Sequence, residues 1–288
     1  MPFVMGVGTA GNAMTSVAKA IRATVDVVRS YGTHRGLLLA LVKREVAARY
    51  RGSALGFIWS LLTPLALLAT YTLVFGYFFN MKWNPEHDGP GYFVVMLFCG
   101  LIPFNFFSEV MSRSPELILR SPNYVKRIAF PVQLLPAVVI GASFFHAMIA
   151  TGLLLTLIAI VVGGLPVTAL YLPLVWIPLL IVTLALSLLV SASGIFIRDL
   201  THGVGLVLSV LFFLTPIIYP AGFIPEPWRW MLWLNPVACA VLQIRETCVE
   251  GIPLNFRMWG YQMAGSLVLF GLVAGWFKVV SRRFADVM

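Results

Sequence analysis

The sequence predicts an all-α integral membrane protein, and its composition, its apolar segments and its charge distribution all favour that class. Of the 288 residues, 60% are hydrophobic and only 11% are charged, whereas a soluble domain carries about 25% charged residues. Polar groups this scarce cannot cover the surface of a protein in water. The net charge of +9 fits Lys and Arg that gather at the cytoplasmic ends of membrane spans, so we expect no nucleic-acid partner.

Six segments are apolar over the ~20 residues that a helix needs to cross a membrane. They are 57–79, 92–110, 135–162, 169–197, 203–219 and 259–280. A further apolar run, 230–243, has 14 residues, a length that favours a re-entrant or interfacial segment. We therefore predict six transmembrane helices, with an amphipathic interfacial helix before the first and a re-entrant segment between the fifth and the sixth.

The distribution of basic residues predicts the side of the membrane that each loop faces. If both termini lie in the cytoplasm, 16 Lys and Arg residues fall inside and 4 fall outside, in agreement with the positive-inside rule. A seventh span at 230–243 would move the C-terminal basic cluster outside, so we reject it. The predicted division is an N-terminal tail over 1–33, an interfacial helix over 34–56, a membrane domain over 57–280 and a cytoplasmic tail over 281–288.

Catalytic and metal-binding patterns are absent from the sequence. It has no GxxxxGK[ST] phosphate-binding loop, no HExxH and no CxxC pair, and its four histidines are widely scattered. We therefore predict no catalytic residue, no metal and no cofactor in this chain. Only His146 lies deep in a span, where a helix-contact role is favoured over a proton relay. Three cysteines are too few for a disulfide framework, and we expect free thiols.

A basic stretch at 41–57 leads into the first span. Its residues Arg44, Ala48 and Arg51 fall on one face of a helix, a pattern that suits a helix lying on the membrane surface. A simple positive-inside anchor explains the same residues equally well. We expect the helix to continue into the span without a break, so that a push from a cytoplasmic partner would reach the bilayer.

The loop after the second span has the features of a docking segment. Ser114 followed by Pro115 predicts a helix N-cap with proline in the first turn. Pro122 and Pro131 bracket a second short unit. A capped, proline-bounded loop is better defined than a random basic linker, and we expect it to dock into a cytoplasmic partner.

Aromatic residues cluster in two places. The first cluster is an outer segment rich in tryptophan, with Trp228, Trp230 and Trp233. It suits a membrane-interface belt, although aromatic rings also stack on sugar faces and could guide a glycan. The second cluster is a stripe near one helical face of the first span, formed by Tyr71, Phe75, Phe78 and Phe79. That stripe is either lipid-facing bulk or a channel wall, and periodicity does not decide between them.

Four groups of residues together resemble the permease subunits of ABC type 2 exporters for cell-surface polysaccharides. They are RYRGSALGFIWSLLTP at 49–64, SPNYVKRIAFP at 121–131, RDL at 198–200, and PIIY at 216–219 with LNP at 234–236. That group of proteins moves lipid-linked O-antigen, capsule or teichoic acid chains. The loop at 121–131 looks most like O-antigen exporters, and teichoic acid exporters share much of the pattern.

The resemblance implies a homodimer of six-helix subunits in the bacterial inner membrane, with a channel between them and a separate ABC ATPase chain that binds ATP and Mg²⁺. Segment 41–57 would be a gate helix, with Arg44, Arg49, Tyr50 and Arg51. Segment 114–128 would be a coupling helix seated in the ATPase, with Glu116, Arg120, Asn123, Tyr124, Lys126 and Arg127. Segment 221–243 would be a re-entrant pair that closes the outer mouth. Aromatic residues of the channel would be Trp59, Tyr71, Phe75, Phe78, Tyr219, Trp228, Trp230 and Trp233.

The predicted function is therefore export of lipid-linked polysaccharide, with O-antigen as the first candidate and teichoic acid or capsule as alternatives. An ABC exporter of a small lipid or drug is a rival within the same broad class. A membrane-embedded transferase is a second rival, but it would need polar catalytic residues clustered at one face, and the sequence has no such cluster of Asp, His and Glu. A purely structural membrane adaptor is the third.

Overall fold

The chain folds into helices joined by turns. The computed structural model describes residues 22, 24–52, 55–79, 83, 90–125, 130–281 and 284, without the side chains of residues 90, 123 and 125. The α-helices of this described part are α1 (24–33), α2 (Arg35–Tyr50), α3 (Trp59–Tyr71), α4 (Pro90–Arg113), α5 (Pro122–Val125), α6 (Leu134–Val161), α7 (Leu172–Ser193), α8 (Leu200–Leu214), α9 (Trp230–Leu234), α10 (Pro236–Cys248) and α11 (Phe256–Val280). The predicted all-α membrane class is confirmed.

Five helical segments of the described residues are long and apolar enough to cross a membrane. They are Gly56–Phe78, Gly91–Arg113, Leu134–Val161, Val167–Ser193 and Phe256–Val280. The predicted span at 203–219 corresponds to α8, which has only 15 residues and is about 22 Å long, shorter than the ~30 Å hydrocarbon core. It ends because Thr215 is extended and Pro216 follows, so the helical hydrogen bonding cannot continue.

α4 is the central helix of the fold. Val95, Met96, Cys99 and Val110 are fully buried, and α4 packs against α6, α7, α8 and α10. The first span, α3, is the opposite case, because Leu68 is its one buried residue. A helix that is apolar all round and uncovered by its own chain faces lipid or another protein.

The expected unbroken helix from the basic stretch into the first span is wrong. α2 ends at Tyr50, Arg51 is extended (φ −66°, ψ 123°), and Gly52 has a φ of +83°. A left-handed residue cannot continue a right-handed helix, and glycine adopts that conformation without strain. The chain re-enters helical structure only at Gly56, so α2 and α3 meet at a bend.

The expected N-cap at Ser114 is also wrong. α4 runs to Arg113, so Ser114 lies at the end of one helix rather than at the start of the next. Its hydroxyl donates to the Val110 carbonyl at 2.8 Å and contacts the Ser187 hydroxyl of α7 at 2.7 Å. The loop after α4 is therefore seated against α7, and residues 114–120 form turns rather than a regular helix.

The loop after α4 lies against the backbone of Gly194, the residue that follows α7. A Cβ at position 194 would overlap the carbonyl oxygen of Pro115 and lie 3.0 Å from its Cα. Gly194→Ala is expected to lower the free energy of unfolding by about 1–3 kcal/mol, because backbone must shift to make room. The melting temperature of the detergent-purified protein measures this. Gly203→Ala is the control, since nothing lies within 4 Å of its Cβ position; equal melting temperatures for the two variants would contradict the prediction.

The outer run at 230–243 consists of two helices rather than one segment. α9 stops at Leu234, and Asn235 caps α10, its Oδ1 accepting hydrogen bonds from the amides of Val237 and Ala238 at 3.0 and 3.1 Å. The Asn235 amide group also donates to Thr215 Oγ1 at 2.9 Å. This single buried side chain therefore ties the break after α8 to the start of α10.

α1 lies within the stretch that the sequence assigned to an N-terminal tail, and it packs on α11 and on the start of α6. Thr24 Oγ1 donates to the Gly271 carbonyl at 3.1 Å, and Asp26 forms an ion pair with Lys278. Tyr31 donates its hydroxyl to the Gln133 carbonyl at 3.1 Å, and Val27 is buried. The start of α2 is thereby fixed to the last span.

Candidate functional site

α2 is held on the rest of the fold mainly by polar contacts. Leu41 is its one buried residue, and most of the helix is exposed. Besides the close packing of Val42 on Gly141 of α6, four polar contacts connect α2 to the helices beneath it: Arg44 with Tyr124, Glu45 with Arg113, Arg49 with Glu109, and Tyr50 with His146. An element attached in this way can move at lower cost than one that is buried in an apolar core.

The contact of Arg44 with Tyr124 joins the two segments that the sequence singled out as gate and coupling elements. Arg44 Nη2 donates to the Tyr124 hydroxyl at 2.6 Å, and the guanidinium carbon lies 5.7 Å from the centre of the ring. The Tyr124 ring packs on Phe130 with a centroid distance of 4.7 Å. A displacement of α5 would therefore be felt directly by α2.

A chain of charges of alternating sign runs under α2. Glu45 pairs with Arg113, Arg113 lies 3.8 Å from Glu109, and Glu109 Oε1 accepts from Arg49 Nη1 at 2.6 Å. These side chains are between a quarter and a half exposed, so each pair alone contributes little, about 0–1 kcal/mol. As a network they fix the position of α2 on the end of α4.

The C-terminal end of α2 is attached to α6. The Tyr50 hydroxyl is 3.0 Å from His146 Nδ1, and the rings meet edge to face at 5.6 Å. Burial raises the pKa of Tyr50, so its phenol stays neutral and serves as a hydrogen-bonding group. Gly141 precedes His146 on α6, and a Cβ at this position would lie 2.8 Å from the Val42 side chain of α2. The two helices are therefore closely packed at this point.

The predicted coupling residues are only partly within the described residues. Glu116 and Arg120 form an exposed ion pair with each other, four residues apart. Lys126, Arg127 and the side chain of Asn123 lie outside the described residues. Their assignment to ATPase coupling stays a prediction.

The predicted channel aromatics of the first span differ in exposure: Tyr71 and Phe75 are half-buried against the core, whereas Phe78 is exposed. Their place in a channel stays a prediction. Tyr71 stacks on Phe75 at 6.1 Å and on Phe212 of α8 at 6.4 Å, so the aromatic stripe connects α3 with α8. Phe78 is 73% exposed. A π-helical turn over Thr72–Phe78 rotates this part of the stripe away from a regular α-helical face.

The outer aromatic residues differ in their contacts. Trp228 and Trp230 are exposed, Trp233 meets Tyr261 edge to face at 5.9 Å, and Tyr219 donates its hydroxyl to the Phe213 carbonyl at 2.7 Å. Near the other end of the first span, Trp59 is about half exposed and lines a cavity beneath α2.

The sequence matches the family model of the ABC-2 type transporter over residues 36–248. The chain belongs to this family. It is 34% identical to the O-antigen export system permease protein RfbA of Myxococcus xanthus, over 91% of this chain and 99% of that protein. It is 26% identical to an RfbA of Klebsiella pneumoniae over 88% and 95%, and 29% identical to the polysialic acid transport protein KpsM of Escherichia coli over 75% and 84%. The predicted resemblance is confirmed.

This ABC-2 transporter also contains a buried arginine that sequence reasoning counted only as a charge on the outer side. Arg245 is 4% exposed. Its guanidinium donates to the carbonyls of Met96 (3.0 and 2.9 Å), Pro216 (2.6 Å) and Ile217 (2.9 Å), and it lies 4.2 Å from the centre of the Trp83 ring. From its position on α10, Arg245 therefore binds the carbonyls of the turn that follows α8 and ties that turn to α4.

Other chemistry is limited within the described part of this ABC-2 transporter. No group of three His, Cys, Asp or Glu residues there is arranged to hold a metal ion. The three cysteines are free and buried, as expected from their number. The site under α2 thus offers ion pairs, hydroxyls and one imidazole, which suit binding and movement.

Proposed function

We propose that this chain is the channel-forming permease subunit of an ATP-driven ABC exporter that moves lipid-linked polysaccharide, with O-antigen as the first candidate substrate. The identity of 34% to an O-antigen export permease, over nearly all of both chains, supports that choice. A capsular polysaccharide is the second candidate, supported by the identity of 29% to KpsM. The protein would lie in the bacterial inner membrane with both termini in the cytoplasm, and a separate ATPase chain would bind ATP and Mg²⁺.

The proposed subunit has six spans, with α8 and the residues after it as the fifth, and it works as a homodimer. Support comes from the apolar faces of α3 and α8 that the chain leaves uncovered, including Leu206 and Phe213, which are 68% and 69% exposed. α2 would lie at the inner membrane surface as the gate helix. The pair α9 and α10 would form the re-entrant segment at the outer mouth.

In the proposed mechanism, closure of the ATPase pair on ATP pushes the coupling segment at 114–128. Tyr124 passes that displacement to Arg44 and so to α2, and α2 turns on the bend at Gly52. The movement separates α3 and α8 across the dimer interface. A lipid-linked glycan then enters from the inner leaflet and threads outward past the aromatic side chains. The observation that carries this proposal is the 2.6 Å contact between Arg44 and Tyr124.

Replacing Tyr124 with phenylalanine tests the coupling step, because it removes the hydroxyl and keeps the ring. The amount of polysaccharide exported for each ATP hydrolysed is expected to fall about tenfold, because a hydrogen bond to a charged group contributes about 1.5–3 kcal/mol. Arg44→Ala should give a similar loss, and the double variant should be no worse than either single one. The measurement is surface polysaccharide together with ATPase activity of the purified complex.

Lys43→Ala is the matched control for this test, since Lys43 is the exposed neighbour of Arg44. It should leave export per ATP unchanged. If the losses from Tyr124→Phe and Arg44→Ala simply add, the two residues act separately and the proposed route of coupling is wrong.

Depletion of the whole protein separates the proposed function from its rivals. Lipid-linked polysaccharide should accumulate on the cytoplasmic side of the inner membrane while the cell surface is bare. A normal cell surface would refute polysaccharide export and favour an exporter of a small lipid or drug.

A further inference from the structure

A groove of about 520 Å³ lies between α7, α11 and the break between α9 and α10, a volume within the range of small-ligand sites. Tyr261, Gly265 and Leu269 line it from one face of α11, and Trp233 and Leu234 line it from the other side. From the first to the last of the three α11 residues the groove is about 12 Å long. It shares no lining residue with the cavity beneath α2.

The polar side chains of the groove wall are already bonded within the protein. The Ser266 hydroxyl donates to the Pro178 carbonyl of α7 at 3.1 Å, and the Gln262 amide group donates to the Pro236 carbonyl at 3.1 Å. None of the lining residues carries a charge. Both α7 and α11 belong to segments that are long and apolar enough to cross a membrane. The groove therefore suits a hydrocarbon chain from the surrounding bilayer.

Gly265 keeps the middle of the groove open. A Cβ at this position would meet nothing within 4 Å, so no neighbouring group of the described chain requires a glycine there. Glycine is unfavourable inside a helix, and its effect at position 265 is to leave room above the surface of α11. A larger side chain would enter that room without displacing the protein.

The N-terminal end of the groove carries a positive charge. Arg257 lies one turn before Tyr261 on α11, and its guanidinium carbon is 6.0 Å from the centre of that ring. It is exposed, and none of the ion pairs found in the described part of the chain includes it. Trp233 meets Tyr261 edge to face at 5.9 Å, and such residues prefer the level of lipid headgroups. A cation at headgroup level followed by an apolar groove has the polarity of a phospholipid.

We propose that this groove binds one phospholipid with an anionic headgroup, of the phosphatidylglycerol class. Its phosphate contacts Arg257, and one acyl chain lies over Gly265 towards Leu269. Because the arginine has no acidic partner among the described residues, a headgroup of net negative charge is favoured over a zwitterionic one. The lipid also contacts Trp233, so it links α9 to the last span. Binding of this lipid does not depend on the proposed export function.

Lipid binding by the full-length protein tests the site. The protein is stripped of lipid in detergent, phosphatidylglycerol is added, and native mass spectrometry counts the lipids bound to each chain. Gly265→Leu fills the groove and is expected to bind one phosphatidylglycerol fewer than wild type. Gly260→Leu is the matched control, because its Cβ position on α11 is equally open but does not line the groove. It should bind as many lipids as wild type.

Arg257→Gln tests the recognition of the headgroup. Its preference for phosphatidylglycerol over phosphatidylcholine with the same acyl chains should fall about fivefold, as expected for one cation at the membrane surface. Arg229→Gln is the control, since Arg229 is another exposed arginine of the outer segment and lies 3.8 Å from Glu226 in an ion pair. It should keep the preference of wild type.

Three results would overturn the proposal. Equal lipid counts for Gly265→Leu and wild type would show that the groove is not a lipid site. An unchanged preference in Arg257→Gln would refute the anionic headgroup. The same spectra report the number of protein chains, and a loss of dimers in Gly265→Leu without a loss of lipid would show that a second copy of the chain occupies the groove.

Discussion

Replacing Arg245 with methionine is expected to cause the largest loss of stability of any single substitution considered for this protein. Three carbonyl oxygens, from Met96, Pro216 and Ile217, lose their donor, at a cost of about 1–3 kcal/mol each. Removal of a buried charge offsets part of that cost. The free energy of unfolding should fall by about 3 kcal/mol, and the melting temperature of the purified protein by roughly 6–10 °C.

Two further variants make the Arg245 result specific. Arg245→Lys keeps the charge but cannot reproduce the planar set of donors, so it should recover only part of the loss. Arg257→Met removes an exposed arginine at 6.0 Å from the Tyr261 ring and should change the stability by less than about 0.5 kcal/mol. If Arg245→Met has the same melting temperature as wild type, the hydrogen bonds of Arg245 do not stabilise the fold.

The second large effect is expected for Glu109→Lys. This change puts a cation between Arg49 and Arg113, both of which now contact the Glu109 carboxylate. Repulsion should release the C-terminal end of α2 from α4 and reduce export about tenfold. That value allows for solvent screening of partly exposed pairs. The measurement is surface polysaccharide at matched protein levels.

A charge exchange separates repulsion from general damage. The double variant Arg49→Glu with Glu109→Arg restores the pair in the opposite sense, so export should recover in part, with Arg113 now the unfavourable neighbour. Glu226→Lys is the control, because Glu226 forms an exposed pair with Arg229 at 3.8 Å in the outer segment and should have no effect. Normal export by Glu109→Lys would mean that the charge network does not position α2.

Most of the helices could be predicted from the sequence because they depend on local properties. Apolar segments of sufficient length are visible in the chain, and the family motifs around 49–64 and 121–131 identify the first span and the loop after the second. The break between α2 and α3 was missed because glycine at 52 permits a positive φ without requiring it. Only packing of α2 on α6, close at Gly141, decides between a bend and a straight helix.

The contacts of the candidate site could be predicted only in part. Arg49, Tyr50 and Tyr124 lie in the family motifs, and Arg44 lies in the basic stretch before the first of them. No pattern in the sequence pairs these residues with each other. Arg245 was missed for the same reason: its acceptors lie up to 149 residues away, and they are backbone carbonyls, which every residue has. Sequence periodicity reports which face of a helix is apolar, and it does not report which carbonyls a neighbouring turn leaves free.

The seating of α1 on α11 sets an order of events during synthesis of the chain. Asp26 and its partner Lys278 are 252 residues apart, so at ~5–20 residues per second the ribosome needs about 13–50 s to make the second after the first. Until then α1 has its contact with the start of α6, through Tyr31 and Gln133, and lacks its contacts with α11. A nascent chain that stops before the last span would therefore keep a loose N-terminal helix, a mark by which a protease could recognise an unfinished subunit.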